Sequence, residues 1–114
     1  PGVIVASQEF PDLENIYQGW DILRLSPVEC DVDADLQRII GVHNNDSHNY
    51  DVNILSVNPH TCVLTSSNHT LRKFLDRHGV ASLVVEFRHR AFWDNGIHCL
   101  TQDLYREGTL ETYV

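Results

Sequence analysis

The chain has 114 residues, 42% of them hydrophobic and 21% charged, which suits one packed domain and leaves no room for two independent cores. Sixteen acidic against eight basic residues give a formal charge of −8, which argues against nucleic acid or an anionic membrane surface as partner and favours a cationic ligand. The longest apolar runs, such as Val80-Ala81-Ser82-Leu83-Val84-Val85, fall far short of a bilayer span.

The chain opens on Gly2-Val3-Ile4-Val5-Ala6, a short β-branched run that predicts a strand. Pro11 to Tyr17 places apolar residues three to four apart, which suits a helix, and Gly19 can cap its C-terminal side. Trp20 to Leu25 has strand composition until Pro27 ends it, so residues 1–28 read as a partial βαβ unit. Residues 29–49 read as an irregular connection with at most one short helix around Leu36, Ile39 and Ile40. Asp31, Asp33 and Asp35 lie at alternate positions there, but the turn glycine and later bidentate glutamate of a calcium loop are missing.

From Tyr50 the pattern sharpens. Val52, Ile54 and Ser56 alternate with Asn53, Leu55 and Val57, Asn58-Pro59-His60 makes a turn, and Thr61 to Thr65 returns as a second strand. Ser67 or Asn68 can cap a helix running to about Arg77, with Leu71, Phe74 and Leu75 on one face and His78-Gly79 closing it. A strand from Ala81 to Arg88 follows. After the turn-rich Phe92 to Gly96, Ile97 to Leu104 reads as extended, so residues 50–114 form a ββαβ module ending in a strand that carries Cys99.

The three cysteines, Cys30, Cys62 and Cys99, form no CxxC pair, and any single disulfide leaves one over, so reduced thiols and a cytoplasmic setting are expected. On residue pattern alone, a cysteine entering a strand is more often a small buried residue than a nucleophile. Its position after a glycine turn gives access. His98 cannot be assumed to be its base, because neighbours on a strand face opposite sides. The seven histidines show no HxH or HExxH pair, so no metal and no cofactor is expected.

Asn95-Gly96-Ile97-His98-Cys99-Leu100-Thr101-Gln102-Asp103-Leu104-Tyr105-Arg106-Glu107-Gly108-Thr109-Leu110 resembles the Gly-Gly-aromatic-His-Cys-x-Thr-x-Asp-Val-Arg-Arg-x-Gly-Thr-Leu ending of arginine:glycine amidinotransferases. The resemblance extends through Val52-Asn53-Ile54-Leu55, Arg77-His78-Gly79 and Arg88, and back to the opening strand and Gly19-Trp20. It implies the α+β, α/β-propeller fold of the guanidine-modifying, or pentein, superfamily, of which this chain would hold about two ββαβ modules at the C-terminal end. It also implies that Cys99 attacks the guanidinium carbon of arginine or a related compound. Asp46 and Ser47 fall where the family contacts substrate, Arg88 matches a family arginine, and Asp94 stands at a family glycine, where its carboxylate can attract the guanidinium.

The family's catalytic histidine and carboxylates lie in a His-x-Asp motif that would precede Pro1. The chain would then be a fragment of such an enzyme, or one polypeptide of a split enzyme whose complementary chain supplies them, or self-association would supply a base, with His43 or His48 reaching Cys99 of another copy. The alternative reading is a non-catalytic pentein-like binding module that oligomerises to cover its open module edges.

Overall fold

The computed structural model describes residues 2–26, 50–65, 67–86 and 96–109. Strand β1 (Val3–Ser7) and strand β2 (Asp21–Leu25) pair in parallel from Val3 opposite Asp21 to Ser7 opposite Leu25. Between them helix α1 (Leu13–Ile16) is a single turn. It is shorter than the apolar spacing from Pro11 to Tyr17 predicts, because Asp12 is left-handed at φ 58° and makes no side-chain cap, while Tyr17 has already left helical geometry.

Tertiary contacts replace the missing helical cooperativity. Arg24 on β2 holds both Glu14 carboxylate oxygens, at 2.8 and 2.7 Å, and donates to the Phe10 carbonyl at 2.5 Å. Those hydrogen bonds from Arg24 hold the exposed Glu14 carboxyl well below the usual carboxylate range, at about 2. Gly19 serves the turn into β2 rather than the helix end: at φ 80° it lets Trp20 donate to the Tyr17 carbonyl at 3.2 Å. Trp20 then lies so close to Gly2 that a Cβ there would meet its ring at 2.5 Å.

The second sheet has the order β3-β4-β5. Strand β3 (Leu55–Asn58) and strand β4 (Thr61–Leu64) form an antiparallel hairpin whose turn is closed by Asn58 Oδ1 accepting from His60 N at 2.8 Å. The hairpin begins three residues later than the alternation predicts, because Tyr50–Val52 winds into a 3-10 turn. Helix α2 (His69–Arg77) crosses to strand β5 (Ala81–Val84), which pairs in parallel with β4 from Thr61 opposite Ala81 to Leu64 opposite Val84. Strand geometry ends at Val84, short of the predicted Arg88, which lies outside the described residues. The ββαβ order is thus present, in a small mixed α/β structure with two short sheets.

Helix α2 has both ends sealed. Asn68 Oδ1 accepts from Leu71 N at 3.1 Å. At the other end Gly79, at φ 70°, donates to Asp76 O and Val80 donates to Leu75 O, both at 3.0 Å, which is a Schellman closure. Leu71, Phe74 and Leu75 are buried, and Leu71 is fully inaccessible, a burial worth about 1.5–3 kcal/mol.

One core joins the two sheets. Leu25 of β2 packs with Cys62, Leu64, Leu71 and Leu75, flanked by Val5, Leu23, Val52, Ile54 and Val80. At its rim His78 Nε2 meets Asp21 Oδ2 at 2.8 Å, tying the end of α2 to the start of β2.

Candidate functional site

Cys99 does not enter a strand. His98–Leu100 is a 3-10 turn, closed by Thr101, whose N and Oγ1 both donate to the His98 carbonyl, at 3.0 and 2.8 Å. Residues 101–109 carry no regular secondary structure. The predicted extension from Ile97 to Leu104 fails because no described strand pairs with it. Its main anchor is Arg106, which donates to the Ser56 carbonyl of β3 at 2.7 Å and to Asp103 Oδ2 at 2.5 Å. Arg106 holds the exposed Asp103 carboxyl below its usual range, chiefly by that hydrogen bond, and the nearby His98 acts in the same direction. With a turn in place of a strand, the opposite-faces argument separating His98 from Cys99 no longer applies.

The residue that organises the turn is Asn53, between the 3-10 turn Tyr50–Val52 and β3. Its Oδ1 accepts from His98 N at 2.7 Å and from Cys99 N at 3.2 Å, and its Nδ2 donates to Cys99 Sγ at 2.9 Å. Two backbone donors on one amide atom identify that atom as the oxygen, so the NH2 end must face the sulfur. Gly96 makes this approach possible: it is buried, and a Cβ there would lie 2.5 Å from Asn53 Cγ and Oδ1 and closer still to Asn53 Cβ.

Two residues before Asn53, Asp51 is a buried carboxylate, 8% exposed, whose Oδ2 accepts from Asn68 Nδ2 at 2.8 Å. Asn68 therefore caps α2 with its oxygen and holds the 3-10 turn with its nitrogen. The start of α2, the turn at Asp51 and the Cys99 turn are linked through two asparagine amides.

The two described thiols differ in kind. Cys62 is 3% exposed in the core, and burial pushes its thiol pKa up. Cys99 is exposed, and neither is in a disulfide. Cys30 lies outside the described residues, as do the expected substrate-binding residues Asp46, Ser47, Arg88 and Asp94, and His43 and His48. Asn53 went unread in the sequence because a polar residue in an alternating run looks like the solvent side of a strand. Among the described residues no group of three His, Cys, Asp or Glu side chains could hold a metal ion, and no helix is long and apolar enough to cross a membrane.

Fold and site together define a small mixed α/β chain that presents an exposed thiol from a hydrogen-bonded turn. No family model matches the chain, and no solved structure does. Its sequence is, however, similar to amidinotransferases of two kinds, as the Gly-Ile-His-Cys segment led us to expect. It is 39% identical over 62 residues to inosamine-phosphate amidinotransferase 1 of Streptomyces glaucescens, covering 54% of this chain and 18% of that protein. With the putative inosamine-phosphate amidinotransferase 2 of Streptomyces griseus the identity is 37% over the same coverage. With the mitochondrial glycine amidinotransferase of Danio rerio it is 29%, covering 54% of this chain and 15% of that protein. The matched segment thus spans less than a fifth of the relatives' length.

Proposed function

We propose that this chain carries the nucleophile of an amidinotransferase-type enzyme, with Cys99 attacking the guanidinium carbon of arginine or a related guanidino compound. The carrying observation is the state of Cys99: an exposed sulfur on a turn, with an amide N–H directed at it. The partial similarity to amidinotransferases and the family-like Gly96-Ile97-His98-Cys99 segment support the same reading.

In this chemistry the Cys99 thiolate forms a bond to the guanidinium carbon, the carbon–nitrogen bond to the donor's amine breaks, and that amine leaves with a proton. An acceptor amine then attacks the amidino-cysteine carbon and the sulfur departs as thiolate. A positioned acid–base group must move those protons. We assign an acid–base histidine and the cation-holding carboxylates to the remainder of the enzyme, on the same polypeptide, another chain or another copy, completing a propeller of ββαβ modules to which residues 1–114 contribute about two. Arg88 and Asp94, with Asp46 and Ser47, are the residues we assign to substrate, and a cytoplasmic setting belongs to the same proposal.

The test mixes the chain with a His-x-Asp-bearing portion of an amidinotransferase and arginine labelled at its guanidino carbon. Label should accumulate on Cys99 in the mixture and not on the chain alone, and Cys99→Ser should abolish it. A mixture that forms a stable complex and leaves Cys99 unlabelled refutes the proposal.

A second reading, a non-catalytic module that self-associates, is favoured by the apolar side chains at the surface. Leu83, Val84 and Val85 on and beyond β5 are 56, 43 and 46% exposed, and Leu104 and Tyr105 are 95 and 80% exposed. A monomer in gel filtration at all concentrations counts against it.

A further inference from the structure

We infer that Asn53 is the positioning residue for the Cys99 nucleophile, fixing the turn with its amide oxygen and stabilising the attacking sulfur with its amide N–H; this rests on the reading of Cys99 given above. Three bonds from one side chain converge on two residues 45 and 46 positions away. Such a clamp costs rotamer freedom and, through the clash built into position 96, forbids a side chain on the neighbouring glycine.

The division of labour within the amide is what gives Asn53 more than a structural role. A turn N-terminus offers backbone N–H groups that could serve the reacting group themselves. Here the N–H groups of His98 and Cys99 are both taken by Oδ1, so they hold geometry and are withdrawn from the chemistry. The donor left facing the sulfur is Nδ2. Hydrogen bonds to an ionised acceptor are roughly twice as strong as neutral ones, so this contact strengthens when the thiol becomes a thiolate. When sulfur bonds to carbon and loses its charge, the contact weakens again. It therefore favours the species that attacks and that departs in the second half-reaction.

A merely structural asparagine would keep the turn shaped without affecting sulfur ionisation. Asn53→Asp separates the two roles, because the carboxylate keeps an acceptor for His98 N and Cys99 N but presents a charged oxygen to the sulfur. Cys99 alkylation by iodoacetamide, mapped by mass spectrometry on the full chain, reads thiolate availability without any guanidino substrate. Near pH 7 we expect the variant to react at least about tenfold more slowly, from the loss of one charge-assisted hydrogen bond together with the like charge put in its place. At about pH 10.5, above the usual range of thiol ionisation, the two rates should converge.

Equal rates near pH 7, or a deficit unchanged at high pH, overturn the inference. Should Asn53→Asp fail to fold, the unaltered chain still decides: the Asn53 side-chain NH2 resonances should move with Cys99 ionisation during an NMR titration, and resonances that stay fixed overturn it. Alkylation and titration as expected, with no labelling by arginine in the complemented mixture, would refute the amidino-transfer reading while leaving the Asn53–Cys99 coupling intact.

Discussion

Replacing Gly96 by alanine perturbs the Cys99 turn without touching any group that reacts. The added methyl would lie 2.5 Å from Asn53 Cγ and Oδ1 and closer still to Asn53 Cβ. Carbon atoms rest at about 3.5–4.0 Å, so the asparagine must retreat by about 1 Å or more. A retreat of that size carries the 2.7 and 3.2 Å bonds to His98 N and Cys99 N beyond useful length. Two such bonds contribute about 1 kcal/mol each. Overpacking adds about 1–3 kcal/mol. The opposing gain from a stiffer unfolded chain is about 0.4–1 kcal/mol. The net expectation is a loss of about 2–4.6 kcal/mol, large against a total stability of about 5–15 kcal/mol. Urea unfolding followed by tryptophan fluorescence measures it, with the Cys99 alkylation rate recorded on the same samples. A loss under about 0.5 kcal/mol, smaller than a single hydrogen bond, would show that Asn53 does not depend on the gap at position 96.

Two further outcomes follow from the ionisable groups. Glu14 is held at about 2 by Arg24, below the value it takes in the unfolded chain, so its pairing stabilises the fold at neutral pH and is lost as pH falls toward 2. Glu14→Gln should therefore lower Tm at pH 6 and leave it nearly unchanged at pH 2; an equal loss at both would assign the effect to packing. In native chain, iodoacetamide should modify Cys99 well before Cys62, because Cys62 is buried with its thiol pKa pushed up, and denaturant should erase the difference. Comparable native rates at the two thiols would contradict the burial of Cys62.

The parts of the fold legible in the sequence were those with local causes. The β-branched opening run, the Asn68 cap and the Gly79 terminator each act within a few residues, and β1 and α2 formed where those signals placed them. The turn at Cys99 has a remote cause. Its backbone donors are claimed by an asparagine more than 40 residues earlier, and nothing in the Ile97 to Leu104 composition distinguishes such a turn from a strand. The same separation hid Asn53 itself, whose role exists only once the hairpin has brought it beside Gly96. Cys99 became legible through its likeness to a known motif, because spacing alone could not separate it from a core residue such as Cys62.

Leu25 closes the core beneath α2 although it belongs to the other sheet. The ββαβ unit consequently borrows its lid: severed from β1 and β2, it would present Leu64, Leu71 and Leu75 to water along one flank. Repeat-like modules are often treated as interchangeable bricks. Here the hydrophobic interior of the ββαβ unit runs on into the β1–β2 pair through Leu25, so a cut between the two sheets passes through the core and not beside it.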